Sequence, residues 1–131
     1  MKSLSDYTQQ AQTKAFDDNG AFFSFGQKQF DEKKQEGVKY AHLGSGLICP
    51  SENAQTLIDQ LDTIHTTAIK QDIAENGVKN IIHRELANHE TQITLNFTDT
   101  IEALEDYGIT AEQIKAEWKE YYDECVANDW F

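Results

Sequence analysis

Basic residues are scarce in this chain. Eleven Lys and Arg face 23 Asp and Glu, which leaves a formal net charge of −12. A surface of that sign repels phosphate backbones and anionic lipid, so direct contact with nucleic acid or membrane is not expected. Proline occurs once, at Pro50, and glycine seven times. That excludes collagenous and Pro-rich or Gly-rich low-complexity chains. Two cysteines, Cys49 and Cys125, are too few for a disulfide framework, and each sits among apolar neighbours as a small buried hydrophobe would. No apolar run approaches the roughly 18 residues that span a bilayer, and residues 1–20 are polar and Gln-rich, unlike a secretory leader. A cytoplasmic protein is the expectation.

What is present suits a folded domain. The 131 residues are 39% hydrophobic and 11% aromatic. A chain of this size buries about two-thirds of its unfolded surface and needs no metal or disulfide to fold. One domain over residues 1–131 is expected.

Apolar periodicity gives the elements. Leu4, Tyr7, Ala11, Ala15 and Phe16 form one stripe of a helix that Gly20 ends. Ala21–Phe25 reads as a buried strand. Gln27–Glu36 reads as a short helix anchored by Phe30, with Ser24 and Gln27 as its capping box. Val38–Leu43 and Leu47–Cys49 read as strands around a Gly44-Ser45-Gly46 turn. The longest helix follows Pro50, is capped by Ser51 and carries Leu57, Ile58, Leu61, Ile64, Ala68, Ile69 and Ile73 inward. A further helix places Val78, Ile81, Ile82 and Leu86 on its inner face. Alternation of Ile93, Leu95 and Phe97 with Gln92, Thr94 and Asn96 predicts a half-buried strand over Thr91–Phe97. Thr98 or Asp99 caps a short helix that Gly108 closes, and Thr110 with Gln113 caps the terminal helix, whose inner stripe includes Ile114, Trp118, Tyr121 and Cys125. The fold class is therefore α+β, with about five helices on a small, mostly antiparallel sheet of three or four strands.

The negative charge is unevenly placed. Residues 98–131 hold 10 acidic and 2 basic side chains, a net of −8, and the 97 before them 13 and 9, a net of −4. Glu117, Glu120 and Glu124 lie at steps of three and four on the terminal helix, and Asp99, Glu102 and Asp106 repeat that spacing on the helix before it. Neighbours at these steps are roughly 5–6 Å apart. Such a ladder either is an ordinary solvated face or stands in for a row of phosphates before a basic groove. Trp130 and Phe131, beside it in sequence, either dock on the core or anchor a partner.

His83, Glu85, His89 and Glu90 contain metal-ligating types. The two histidines are six apart, about 240° around a helix, so they cannot chelate together from a regular one. His89 lines up with Ile82 and Leu86, which suits a core-edge histidine bonded to Glu85. Gly44-Ser45-Gly46 stands too far before Ser51 to act as a phosphate loop. No nucleophile–base pairing can be placed. No enzyme activity, metal or cofactor is expected; a metal-binding or enzymatic site at Glu85, His89 and Glu90 is the alternative.

The runs Asn19-Gly20-Ala21-Phe22-Phe23-Ser24-Phe25 with Gln29-Phe30, Leu43–Pro50, Arg84-Glu85-Leu86-Ala87-Asn88-His89-Glu90 and Asp106-Tyr107-Gly108-Ile109-Thr110 carry a resemblance. Over about residues 13–115 they resemble a group of small proteins of bacterial genomes, phages and mobile elements. Thr91-Gln92-Ile93-Thr94 departs from the Tyr-rich segment common there after the His-Glu pair. The resemblance implies a mobile-element setting and no particular chemistry. Joined to the charge pattern, it sets the expectation of an acidic inhibitor that binds the basic surface of a host defence protein, such as a CRISPR effector or a restriction enzyme, through Asp99, Glu102, Asp106, Glu117, Glu120, Glu124, Trp130 and Phe131. A non-inhibitory accessory protein of a mobile element is the other alternative.

Overall fold

The computed structural model describes residues 1–131. The chain divides into two compact units, Lys2–Ala68 and Ile69–Phe131, the latter joined by Met1. The division falls within the longest helix.

The N-terminal unit opens with α1 (Leu4–Asn19), where the Asp6 carboxylate accepts the Ser3 N–H at 2.8 Å. Gly20 stops it in the left-handed region (φ 70°), where a side chain would be strained, and the Ala21 N–H closes back on the Phe16 carbonyl. Next come β1 (Phe22–Phe23), α2 (Gln27–Lys33), β2 (Tyr40–Gly44) and β3 (Leu47–Pro50). The sheet is antiparallel with order β1-β3-β2. Central β3 is paired on both edges, and it buries Leu47, Ile48 and Cys49 in succession, so side chains on both of its faces are covered. Its hairpin with β2 runs through Gly44, Ser45 and Gly46, all at positive φ, and the register slips between His42 and Gly44. The turn and the bulge therefore coexist.

Two expectations fail here. The Ala21–Phe25 segment is a strand only at Phe22–Phe23, and it is not buried: Phe25 is 76% exposed and stacks on exposed Phe23 at 6.3 Å. β1 is an edge strand matched to two residues of β3, so pairing ends once Ser24 donates its N–H to the Gly46 carbonyl. Ser24 does not cap α2 either. Its hydroxyl donates to the Gly26 carbonyl, and Gln29 accepts the Phe25 N–H. Ser51 starts a 3₁₀ turn (Ser51–Asn53) before α3 (Ala54–Asn76). The core of this unit is Ala15, Leu47, Cys49 and Leu57, enclosed by Phe16, Leu43, Leu61 and Ile64.

The C-terminal unit takes the end of α3, then α4 (Val78–Asn88), α5 (Thr91–Thr94), α6 (Thr98–Leu104), a 3₁₀ turn (Glu105–Tyr107) and α7 (Ala111–Asn128). The whole chain thus has seven α-helices, not about five, beside one three-stranded sheet, and remains α+β. Thr91–Phe97 is not a strand. Thr91–Thr94 is a single helical turn, entered by Glu90 and left by Leu95, both in the left-handed region. Alternation misleads because the residues it assigns inward, Ile93 and Leu95, are exposed, while Thr91 is buried and shares a 3.2 Å hydrogen bond with buried Thr100. The backbone is satisfied locally, with Ile93 and Thr94 N–H on the Glu90 carbonyl and Leu95 N–H on Thr91. The α6 entry is one position earlier than expected: Phe97 is the cap residue, and the Asn96 side chain accepts the Thr98 N–H.

The α7 capping box forms as the sequence predicts. Gln113 N–H meets Thr110 Oγ1 at 3.2 Å, and Thr110 N–H meets Gln113 Oε1 at 2.8 Å. Behind it lies the second core, with Ile81, Ile82 and Leu86 of α4, Leu104 of α6, Ile109, and Ile114, Tyr121 and Cys125 of α7. No helix is long and apolar enough to cross a membrane.

Candidate functional site

In α7 the positions that bury Ile114, Tyr121 and Cys125 leave Glu117, Glu120 and Glu124 on an adjoining face. That face meets α4, which supplies Lys79 and His83 four residues apart. Lys79 Nζ is 2.6 Å from Glu120 Oε1. His83 Nε2 is 3.1 Å from Glu117 Oε2, and its Nδ1 is 3.9 Å from Glu124 Oε2. The imidazole is half-buried and held edge-on by the Tyr121 ring at 5.7 Å. The hydrogen bond that Lys79 donates to Glu120 holds the Glu120 carboxyl below the usual range and raises the Lys79 ammonium. The structure therefore brings Glu117, Glu120 and Glu124 together, and α4 engages all three. The sequence showed the ladder but not its partners, because Lys79 and His83 are more than thirty residues away along the chain.

The second trio is less regular. Asp99 and Glu102 are exposed on α6, but Asp106 lies in the 3₁₀ turn beyond its end, so helical spacing does not extend to it. Trp130 and Phe131 are each about half exposed, at 49% and 56%. Phe131 packs on the Tyr122 ring at 5.7 Å. The Trp130 N–H closes on the Cys125 carbonyl, and Gln92 holds the Trp130 carbonyl at 3.0 Å while accepting from the Tyr121 hydroxyl at 2.9 Å. Gln92, assigned by alternation to a strand face, is thus what fixes the chain end.

A separate buried network lies in the same unit. Arg84 is bidentate to Asp72, at 2.9 and 3.0 Å. Tyr107 donates to Asp72 at 2.6 Å, and the Asn76 amide donates to Asp72 at 2.7 Å. Burial alone would raise the Asp72 carboxyl, but the bonds from Arg84, Tyr107 and Asn76 outweigh it and hold the carboxyl below its ordinary value. Burial, reinforced by Asp72, raises the Tyr107 hydroxyl. Every charge here has its partner, so the network clasps α3, α4 and the 3₁₀ turn together.

The alternative set disperses. Glu85 is engaged by Arg84 Nε at 2.9 Å. His89 Nε2 lies 3.5 Å from Glu85 without hydrogen-bond geometry and is a buried nitrogen with no partner, while Glu90 is exposed. His83 and His89 do point apart, His83 to α7 and His89 to Glu85. Both cysteines are buried, and burial pushes the Cys49 thiol up.

The family's model covers residues 4–124, from the first residue of α1 to Glu124 of α7. The chain belongs to DUF7659, a family of unknown function. No curated protein and no solved structure matches it. The DUF7659 match contains His83, Glu117, Glu120 and the Asp72–Arg84 clasp, whereas Trp130 and Phe131 lie beyond it.

Proposed function

We propose that this DUF7659 chain is an acidic protein-binding module whose C-terminal unit enters a cationic groove of the kind that nucleic-acid-binding proteins present. The supporting observation is the distribution of charge. Residues 69–131 hold 14 acidic and 5 basic side chains, a net of −9, against −3 for residues 1–68, with 9 and 6. Asp99, Glu102 and Glu124 are exposed there. Lys and Arg of a groove would meet these carboxylates with charge-assisted hydrogen bonds, while half-exposed Trp130 and Phe131 supply the aromatic contacts that concentrate binding energy. Steering by a field of one sign gives fast association that weakens with salt. The motif resemblance to phage and mobile-element proteins directs the search to host defence enzymes that grip DNA or RNA.

The test is capture from a host lysate on immobilised protein at low salt, with elution by salt and identification of what leaves. The Asp99→Lys/Glu102→Lys/Glu124→Lys variant should lose the partner at least about tenfold, a change of roughly 1.4 kcal/mol, while staying folded and melting no lower than the wild type. A DNA oligonucleotide in excess should release the partner. Retention by the reversed variant, or in the presence of DNA, removes the reading.

A further inference from the structure

We propose that His83, Glu117 and Glu120 bind one divalent transition-metal ion of the zinc class. The donor atoms of these three side chains all lie within 4.8 Å of one another. Metal–ligand bonds of about 2.0–2.2 Å place tetrahedral donors roughly 3.4 Å apart, so side-chain rotations of partly buried Glu117 and exposed Glu120 bring the set to coordination distance. Glu117 Oε2 already stands 3.1 Å from His83 Nε2.

The histidine distinguishes this set from a plain cluster of carboxylates. Its two nitrogens face different groups, Nε2 toward Glu117 and Nδ1 toward Glu124 at 3.9 Å. As the chain stands, His83 Nε2 donates to Glu117 at 3.1 Å; a bound metal takes the place of that proton, and Nδ1, which then carries the ring proton, has the Glu124 carboxylate 3.9 Å away, within reach of a side-chain rotation. Closing that gap would give the carboxylate–histidine–metal arrangement that fixes a ligand's tautomer. The Tyr121 ring limits imidazole rotation. The imidazole among the donors favours zinc-class ions over calcium or magnesium. Charge agrees. Glu117, Glu120 and Glu124 bring three negative charges against the single ammonium of Lys79, and a dication neutralises the remainder. A depression of about 480 Å³ lined by Lys79, His83, Glu120 and Trp130 gives a path in from solvent. Three protein ligands leave a fourth position for water.

Lys79 makes the proposal discriminating. Its ammonium holds Glu120 Oε1 at 2.6 Å and is 54% exposed, so it competes with the metal and can swing away when displaced. Removing it should tighten metal binding, because the ammonium and the ion compete for Glu120.

The experiment is calorimetric titration of the full chain, freed of metal by chelator, with zinc chloride, alongside thermal melting. One equivalent should bind and raise the melting temperature. Glu117→Gln should weaken binding by at least about tenfold, His83→Gln should abolish it, and Lys79→Ala should strengthen it severalfold. His42→Gln and His89→Gln should change nothing. No saturable binding, binding undiminished by Glu117→Gln, or binding weakened by Lys79→Ala would each overturn the proposal. Because the Glu117 and Lys79 variants are expected to move in opposite directions, the result does not depend on His83→Gln folding.

Discussion

Asp72 is fully buried and charged, which is tolerable only because Arg84, Tyr107 and Asn76 all point hydrogens at it. Removing the countercharge should therefore cost more than removing a hydroxyl. Arg84→Met leaves an uncompensated carboxylate and should destabilise the C-terminal unit by about 3–5 kcal/mol. Tyr107→Phe removes one bond to a charged group and should cost about 1.5–3 kcal/mol. Both tryptophans, Trp118 and Trp130, lie in this unit, so urea unfolding followed by their fluorescence reads it directly. The carboxyl of Asp72 is lowered in the fold, so the unfolded chain takes up its proton first as pH falls. The contribution is fully present above the unfolded value of about 3.9 and is lost as acid approaches the folded one. Acid unfolding of the wild type should be steeper below about pH 4 than that of Asp72→Asn; parallel curves would contradict the clasp. Hints of the clasp were in the sequence. Asp72 interrupts the stripe of Ile69 and Ile73, a polar residue at a core position. What could not be read was its partner, because a charge twelve residues on is one of many until the helices are placed.

At the scale of elements, caps and the hairpin that close within a few residues were legible in part, and contacts with distant segments were not. Gly20 and the Thr110–Gln113 box act through neighbours within a few residues, so spacing alone locates them. Thr91–Phe97 and Ala21–Phe25 depend on what lies across from them. A seven-residue alternation becomes a strand only if another strand accepts its hydrogen bonds, and the C-terminal unit contains none. The chain instead closes a turn and leaves Leu95 at φ 55°, exposed. A left-handed Leu costs roughly 1 kcal/mol that Asn largely avoids. Leu95→Asn should therefore be neutral or stabilising by up to about 1 kcal/mol in the same fluorescence assay. A strand would respond oppositely, since Asn is disfavoured on a pleated, half-buried surface. Marked destabilisation would contradict the turn. The candidate site follows the same division: the glutamate ladder is a local period, and Lys79 with His83 is a tertiary fact.

Across the whole molecule, the dominant force outside the cores is self-repulsion. A net of −12 with −9 of it on residues 69–131 opposes compaction, and the internal pairs Lys79–Glu120 and Arg84–Asp72 offset part of it. Added salt screens the remainder, since the Debye length falls from about 30 Å at 0.01 M to about 3 Å at 1 M. Two opposite salt responses should then come from the same carboxylates. The tryptophan-monitored melting temperature should rise by several degrees between about 10 mM and about 500 mM sodium chloride, while capture of a cationic partner weakens over that range. Zinc at one equivalent should raise the melting temperature at the low-salt end and do less at the high-salt end, because the repulsion it relieves is already screened there. A melting temperature indifferent to salt would mean that the chain's own cations neutralise the acidic faces, and a cationic groove would then have little left to recognise.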